Sequence, residues 1–305
     1  TDQELAFGLL PVGFNYQLQA GAGVVNLLVS PNANGSFTQH WDGGGWDGSV
    51  PSSNGVVDGG PGIWTSGVAD WTYAGGAVNT SWQGQLAVFQ GTAGTVTVQG
   101  PVAFTGMQFL TDGYAIVAGS GGVLTTVAPE TNISVNSGAG ATIWAPIAGT
   151  GGLVKQGGGT LVLLGPNSYT GGTIVKGGVL EGNSTSLSGS ILNDATVVFN
   201  QGGAGVYAGA MSGIGTLVKK GGGTLVLTGV NTYRGGTVVT EGILQGSTIS
   251  LQGDITNNAV VIFDQGASGA YADVLSGTGT LVKAGDGTLV VTGASRHTGG
   301  TLVAA

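Results

Sequence analysis

The chain has no cysteine and few charges: Asp, Glu, Lys and Arg make up 7% of its 305 residues. Without thiols it has no disulfides and no thiolate metal ligands. Two readings explain the absence. A chain that threads a pore unfolded is narrower without cross-links, and stacked rungs need no staples. Basic residues are missing altogether from residues 1–152, which hold eight acidic ones, while residues 153–305 balance seven against seven. The net charge of −8 therefore belongs to the first half. Phosphate contacts depend on Lys and Arg, so nucleic acid and anionic membranes are excluded as partners. No apolar run approaches the roughly 20 residues of a spanning helix, so no membrane insertion by this segment is expected. Helical periodicity is missing too. Only two histidines occur, and there is no G-x-S-x-G elbow, phosphate loop or G-G-x-G-x-D calcium repeat. No catalytic residue, metal or cofactor is assigned on these grounds.

Glycine, in contrast, is abundant, at 64 residues, yet there is no collagen register and apolar residues reach 41%. The glycines punctuate a repeat. Leu153-Val154-Lys155 returns as Leu217-Val218-Lys219 and as Leu281-Val282-Lys283, and the first two copies agree at about 37 of 64 positions. Gly157–Leu163 returns as Gly221–Leu227, and Asn167-x-Tyr169-x-Gly171-Gly172-Thr173 as Asn231-x-Tyr233-x-Gly235-Gly236-Thr237. Short β-branched and Leu-rich runs alternating with Gly, Asn and Ser predict strands joined by tight corners. Three turns of roughly 21 residues per 64-residue unit account for the apolar runs. A propeller also uses about four strands per repeat, but only the second half of the chain repeats clearly.

The pattern G-T-L-V-K-x-G-x-G-T-L-V-L-T-G-x-N-x-Y-x-G-G-T at Gly215–Thr237, with variants at 150–173 and 279–301, resembles the passenger-associated transport repeat of autotransporter proteins. Trp64, Trp71, Trp82, Ala87-Val88-Phe89 and Thr111-Asp112-Gly113-Tyr114 resemble segments that precede such repeats. The resemblance covers roughly residues 60–305. It implies a right-handed, single-stranded parallel β-helix at the surface of a Gram-negative bacterium, anchored through a C-terminal outer-membrane barrel that lies outside this sequence. No signal peptide is recognisable at residue 1. The expected protein is all-β, with about 13–14 rungs at ~4.8 Å each. The expected divisions are 1–59 (cap or first rungs, with a Gly/Trp-rich loop at 40–62), 60–152 (irregular rungs) and 153–305 (repeats 153–216, 217–280 and a cut-off 281–305).

Within the repeats, Lys155, Lys219 and Lys283 are expected on one solvated face. Phe199, Phe263, Tyr207 and Tyr271 are expected to pack inside, and His297 occupies the slot of Tyr169 and Tyr233. Five of six tryptophans lie between Trp41 and Trp82, among Asp42, Asp47, Asp58 and Asp70. Trp64, Trp71 and Trp82 read as rung packing. Trp41, Trp46, Asp42, Asp47 and Asp58 are the candidate ligand contacts, for a sugar or a basic protein patch. The function expected is a non-enzymatic adhesin or interaction protein with a repeat stem that aids secretion and folding. Its partner would be a host or bacterial surface glycan or protein, with self-association as a further option. The alternatives are a polysaccharide-active β-helix enzyme, whose carboxylates would come from Asp42, Asp47, Asp58, Asp70 and Asp112, and a stem that only displays another module.

Overall fold

A computed structural model describes residues 14–21, 24–31, 38–43 and 54–304 of the chain. Every regular element in the described residues is a strand. Phe14–Gly21 and Val24–Pro31 pair with each other antiparallel, as a hairpin rather than as rungs. From Thr38 onward the chain coils as a parallel β-solenoid of about eleven turns. Fewer turns form than the 13–14 expected, because the hairpin adds none and the long segment between Trp41 and Leu86 completes only one.

Sheets line three sides of the coil. The first stacks Thr38–Trp41, Leu86–Phe89, Gly106–Phe109, Glu130–Val135, Gly152–Gln156, Thr173–Val175, Ile191–Asn193 and Met211–Ser212. Its N-terminal edge is covered by Trp71–Thr72, which runs antiparallel to Thr38–Trp41, and then by Asn79–Thr80, antiparallel in turn to Trp71–Thr72. Such cover blunts an edge that would otherwise pair with another chain. The second sheet carries eleven strands, from Gly62–Trp64 to Leu275–Ser276. The third side carries two separate sheets, one of Pro101–Phe104, Val123–Thr126 and Ile147–Gly149 and a six-stranded one running from Gly205–Tyr207 to Thr301–Val303.

Alternation decides what faces inward, because successive side chains in a strand point to opposite faces. Val96, Ile116, Ile143 and Leu163 form one buried column, and Leu161, Leu180, Val197 and Leu217 another. Phe89 stacks on Phe109 one turn on, with ring centroids 4.8 Å apart. Phe199 and Phe263 are buried and packed on Tyr207 and Tyr271, as expected.

The Asn-x-Tyr-x-Gly-Gly-Thr motif spans a side of the coil that has no strand of its own. Buried Asn167 replaces the missing ladder. It accepts the Ile147 N–H at 2.8 Å from the turn before and donates to Ser186 O at 2.8 Å on the turn after. Asn231 repeats this between Met211 N and Ser250 O. Tyr169 and Tyr233 each hydrogen-bond the Thr four residues on, at 2.8 Å. His297 makes the same contact with Thr301 through Nε2, which confirms its structural slot. Gly172 sits at φ 75°, where a side chain is strained, and a Cβ on Gly171 would stand 2.2 Å from the Gly152 nitrogen.

The repeat does not contain a whole number of turns. From Leu153 the chain returns to the first sheet at Thr173, Ile191 and Met211, and six residues later Leu217 lies on the second. Leu153 pairs with Thr131 and Thr173, Leu217 with Val197 and Thr237, and Leu281 with Val261 and Thr301. Each copy therefore starts one sheet further round, after three and a third turns rather than three. The turns here take eighteen or twenty residues, against the roughly 21 expected.

That shift corrects the reading of the lysines. They lie on three different sheets. Lys155 and Lys219 are also buried, and Lys283 is partly so. Each follows an inward Leu and an outward Val, so alternation turns it inward. Lys155 Nζ donates to the carbonyls of Gln156, Gly157 and Gly177 at 2.8–3.0 Å, and Lys219 Nζ to those of Lys220, Gly221 and Glu241. The ammonium thus caps carbonyls at a glycine corner, including one from the next turn.

Candidate interaction surface

Of the five candidate contacts, Trp46 and Asp47 lie outside the described residues. Trp41 does not present a face to solvent. It sits in the strand Thr38–Trp41, fully buried, and its indole N–H donates to Gly60 O at 2.8 Å. Its ring meets Trp71 edge-on at 5.2 Å, and Trp71 in turn packs on Trp64 at 5.0 Å and Trp82 at 4.4 Å. The four tryptophans close the first turns as one aromatic plug. Trp64, Trp71 and Trp82 therefore pack as expected, and Trp41 joins them, because the alternation that buries Gln39 buries it too.

Asp42 is buried as well. Its Oδ1 accepts the Asp58 N–H at 2.8 Å, and its own N–H donates to Asp70 O at 2.9 Å. Oδ2 has no hydrogen-bond partner among the described residues. The nearby Asp70 carboxyl is pushed up to about 6, first by burial, against a backbone hydrogen bond from Ile63, and further by Asp42. Asp42 is thus the peg that fixes the corner, and Asp58 is what the corner displays. Asp58 is exposed, and Asn54 steadies its carboxylate with a 2.9 Å bond while holding Val56 N–H through Oδ1.

Sequence reasoning alone misses a further surface residue. Trp144, the sixth tryptophan, is 54% exposed at the end of Gly140–Ile143. The signal is present: Ala141 and Ile143 point inward, so Thr142 and Trp144 point outward. Around it, Ala115, Val117, Thr142 and Val162 form an uncharged outer face of the second sheet. Among the described residues no three His, Cys, Asp or Glu side chains group closely enough to hold a metal ion, and no helix is long and apolar enough to cross a membrane.

A coiled parallel β-solenoid with a repeat corner of this kind defines a class, and comparison with known proteins gives the family. The chain matches the passenger-associated-transport-repeat family over residues 153–181, 217–245 and 281–305. It is 39% identical to the adhesin BmaC autotransporter of Brucella suis biovar 1 over 93% of this chain and 9% of that protein. It is 32% identical to an extracellular serine protease of Serratia marcescens over 37% of this chain and 10% of that protein. To the autotransporter lipoprotein NalP of Neisseria meningitidis serogroup B it is 49% identical over 22% of this chain and 6% of that protein. No solved structure matches it. The chain belongs to the autotransporter passengers that carry these transport repeats, which are displayed at the cell surface and anchored to the outer membrane. It spans about a tenth or less of the length of the curated relatives it matches.

Proposed function

We propose that this segment is part of an adhesin: a surface passenger that binds a host or bacterial surface glycan or protein without catalysing a reaction. The observation that carries this reading is the 39% identity, over nearly the whole chain, to a protein named as an adhesin. In the full-length protein the coil is held at the outer membrane by a C-terminal barrel, as in its autotransporter relatives, and the repeats serve as its stem.

The contact surface is the corner between Asp42 and Asp58. Trp41 and Asp42 support it from inside, while Asp58, with Asn54, offers hydrogen-bond acceptors to solvent. Trp46 and Asp47 fall in the same stretch of sequence, outside the described residues, and enter this reading by sequence position alone. The test is adhesion of the purified chain to epithelial cells and to a glycan array, beside the variant Trp46→Ala/Asp47→Ala/Asp58→Ala. A tenfold or greater loss of binding is expected with an unchanged melting curve. Undiminished binding by the variant would remove this corner from the reading, and cleavage of a polysaccharide would replace the adhesin with an enzyme.

A further inference from the structure

Three successive turns leave an open groove of about 450 Å³ at the corner between the first and second sides of the coil, within the second repeat. That volume is in the range of clefts that hold small molecules. Thr232 and Arg234 line it from one turn, Gln252 and Asp254 from the next, and Asp273 from the third. The three turns are held in register by the column Thr237, Ile255 and Leu275, which begins just past the groove. Arg234 and Asp254 are exposed, and Gln252 and Asp273 partly so.

Two of the lining side chains are held by hydrogen bonds. Asp254 Oδ1 accepts the Val274 N–H at 2.9 Å, and Gln252 Nε2 donates to Thr248 O at 2.8 Å. Below them, the Tyr271 hydroxyl donates to Gly253 O. Burial raises the pKa of that phenol, with Asp273, Tyr233 and Asp254 adding to the effect.

Comparison with the preceding repeat separates framework from lining. Asn231, Tyr233, Gly235, Gly236 and Thr237 keep the residues of Asn167, Tyr169, Gly171, Gly172 and Thr173. Arg234, Gln252, Asp254 and Asp273, however, stand where that repeat has Thr170, Ser188, Ser190 and Gly209. The same corner is therefore built without any charge. Packing does not call for a guanidinium and two carboxylates here, yet they converge on one cavity.

We propose that this groove is a ligand site on the stem for a neutral, hydroxyl-rich glycan segment. Sugar hydroxyls both donate and accept, which suits two carboxylate acceptors facing an Arg fork and a Gln amide. Tyr233 is buried, so the lining offers no aromatic platform to an apolar ligand. Two carboxylates against one guanidinium disfavour acidic sugars and phosphate, and Arg234 disfavours a bare cation. The site is distinct from the Asp58 corner and does not depend on it.

The test uses the whole chain on an immobilised panel of neutral oligosaccharides, with sialylated and uronic-acid glycans and a Lys/Arg-rich peptide alongside. The groove variant is Arg234→Thr/Gln252→Ser/Asp254→Ser/Asp273→Gly, which installs residues the preceding repeat already tolerates. At least one neutral oligosaccharide should be retained by the native chain and bound tenfold or more weakly by this variant. Lys176→Ala, at an exposed position of the preceding repeat outside both surfaces, should leave that binding unchanged. If the fourfold variant melts differently, Arg234→Lys and Asp273→Asn, each changing one group, should still show the loss. The proposal is overturned if no neutral oligosaccharide is retained, if retention survives the groove variants, or if only acidic glycans or the peptide depend on the groove.

Discussion

Lys155 and Lys219 are the same residue of successive repeats, yet they lie on different sheets: Lys155 between Ile133 and Val175, Lys219 between Phe199 and Val239. The repeat thus acts as a screw. One step of 64 residues turns the chain by three full turns and one side, and advances it about 16 Å at the usual strand spacing.

Deleting residues 217–280 should preserve the solenoid, because Leu281-Val282-Lys283 then follows Thr216 and takes over the places of Leu217-Val218-Lys219. Residues beyond the junction should move about 16 Å toward the N-terminal end and rotate by about 120°. With no native cysteine, spin labels at Cys-substituted Ser134 and Thr288 can report this. A changed distance distribution with native circular dichroism is expected. Loss of all β-structure would show that the turns are not supported by their neighbours alone.

Lys219→Met keeps the buried stem and removes the ammonium from three carbonyls. Leaving such acceptors unsatisfied costs about 1–3 kcal/mol, read as a lower urea midpoint. The matched Lys155→Met variant also tests pH dependence. Burial lowers the Lys155 pKa to about 8 from 10.5. The native state then bears the cost of a buried charge below pH 8 and is relieved of it as pH rises toward 10.5. The wild type should gain stability relative to Lys155→Met across that window. A parallel pair of pH profiles would mean that the three carbonyls fully offset burial.

Asp70 should make the first turns pH-sensitive in the opposite sense. Its pKa is raised to about 6 from 3.8, chiefly by burial. Between those values the native state holds a proton that the unfolded chain releases, so this contribution falls as pH rises from about 4 to about 6. Asp70→Asn should abolish that fall and be the more stable form at pH 7. The check is hydrogen exchange of the Trp71 and Trp82 amides at pH 5 and pH 7.

Two tryptophans make a contrast. Trp71→Ala opens a hole in the aromatic plug and should cost about 3–5 kcal/mol, the usual penalty for a buried aromatic ring. The loss should be confined to the first turns, since each turn contacts only its neighbours. Trp144→Ser, on the outer face, should stay within about 0.5 kcal/mol. Urea unfolding followed by tryptophan fluorescence distinguishes them.

Residue order alone makes this chain strands and corners stacked in a repeat, and its Lys-x-Gly-x-Gly and Asn-x-Tyr-x-Gly-Gly-Thr spacings reveal the family. Local chemistry suffices for that: alternation sets inside against outside, and Gly marks the corners. It also held, unread, the inward turn of Lys219 after outward Val218 and the outward turn of Trp144 after inward Ile143. The glycines after Trp41 make it read as loop, although Gln39 and Trp41 alternate as a strand does. How many residues close a turn, and so which sheet each copy occupies, is settled in three dimensions. Closure depends on how corners of unequal length stack on the turn below, and a side-chain period of two carries no information about which of three sheets a strand joins. For the same reason the groove of Arg234, Asp254 and Asp273, drawn from three turns about twenty residues apart, exists only once those turns lie side by side.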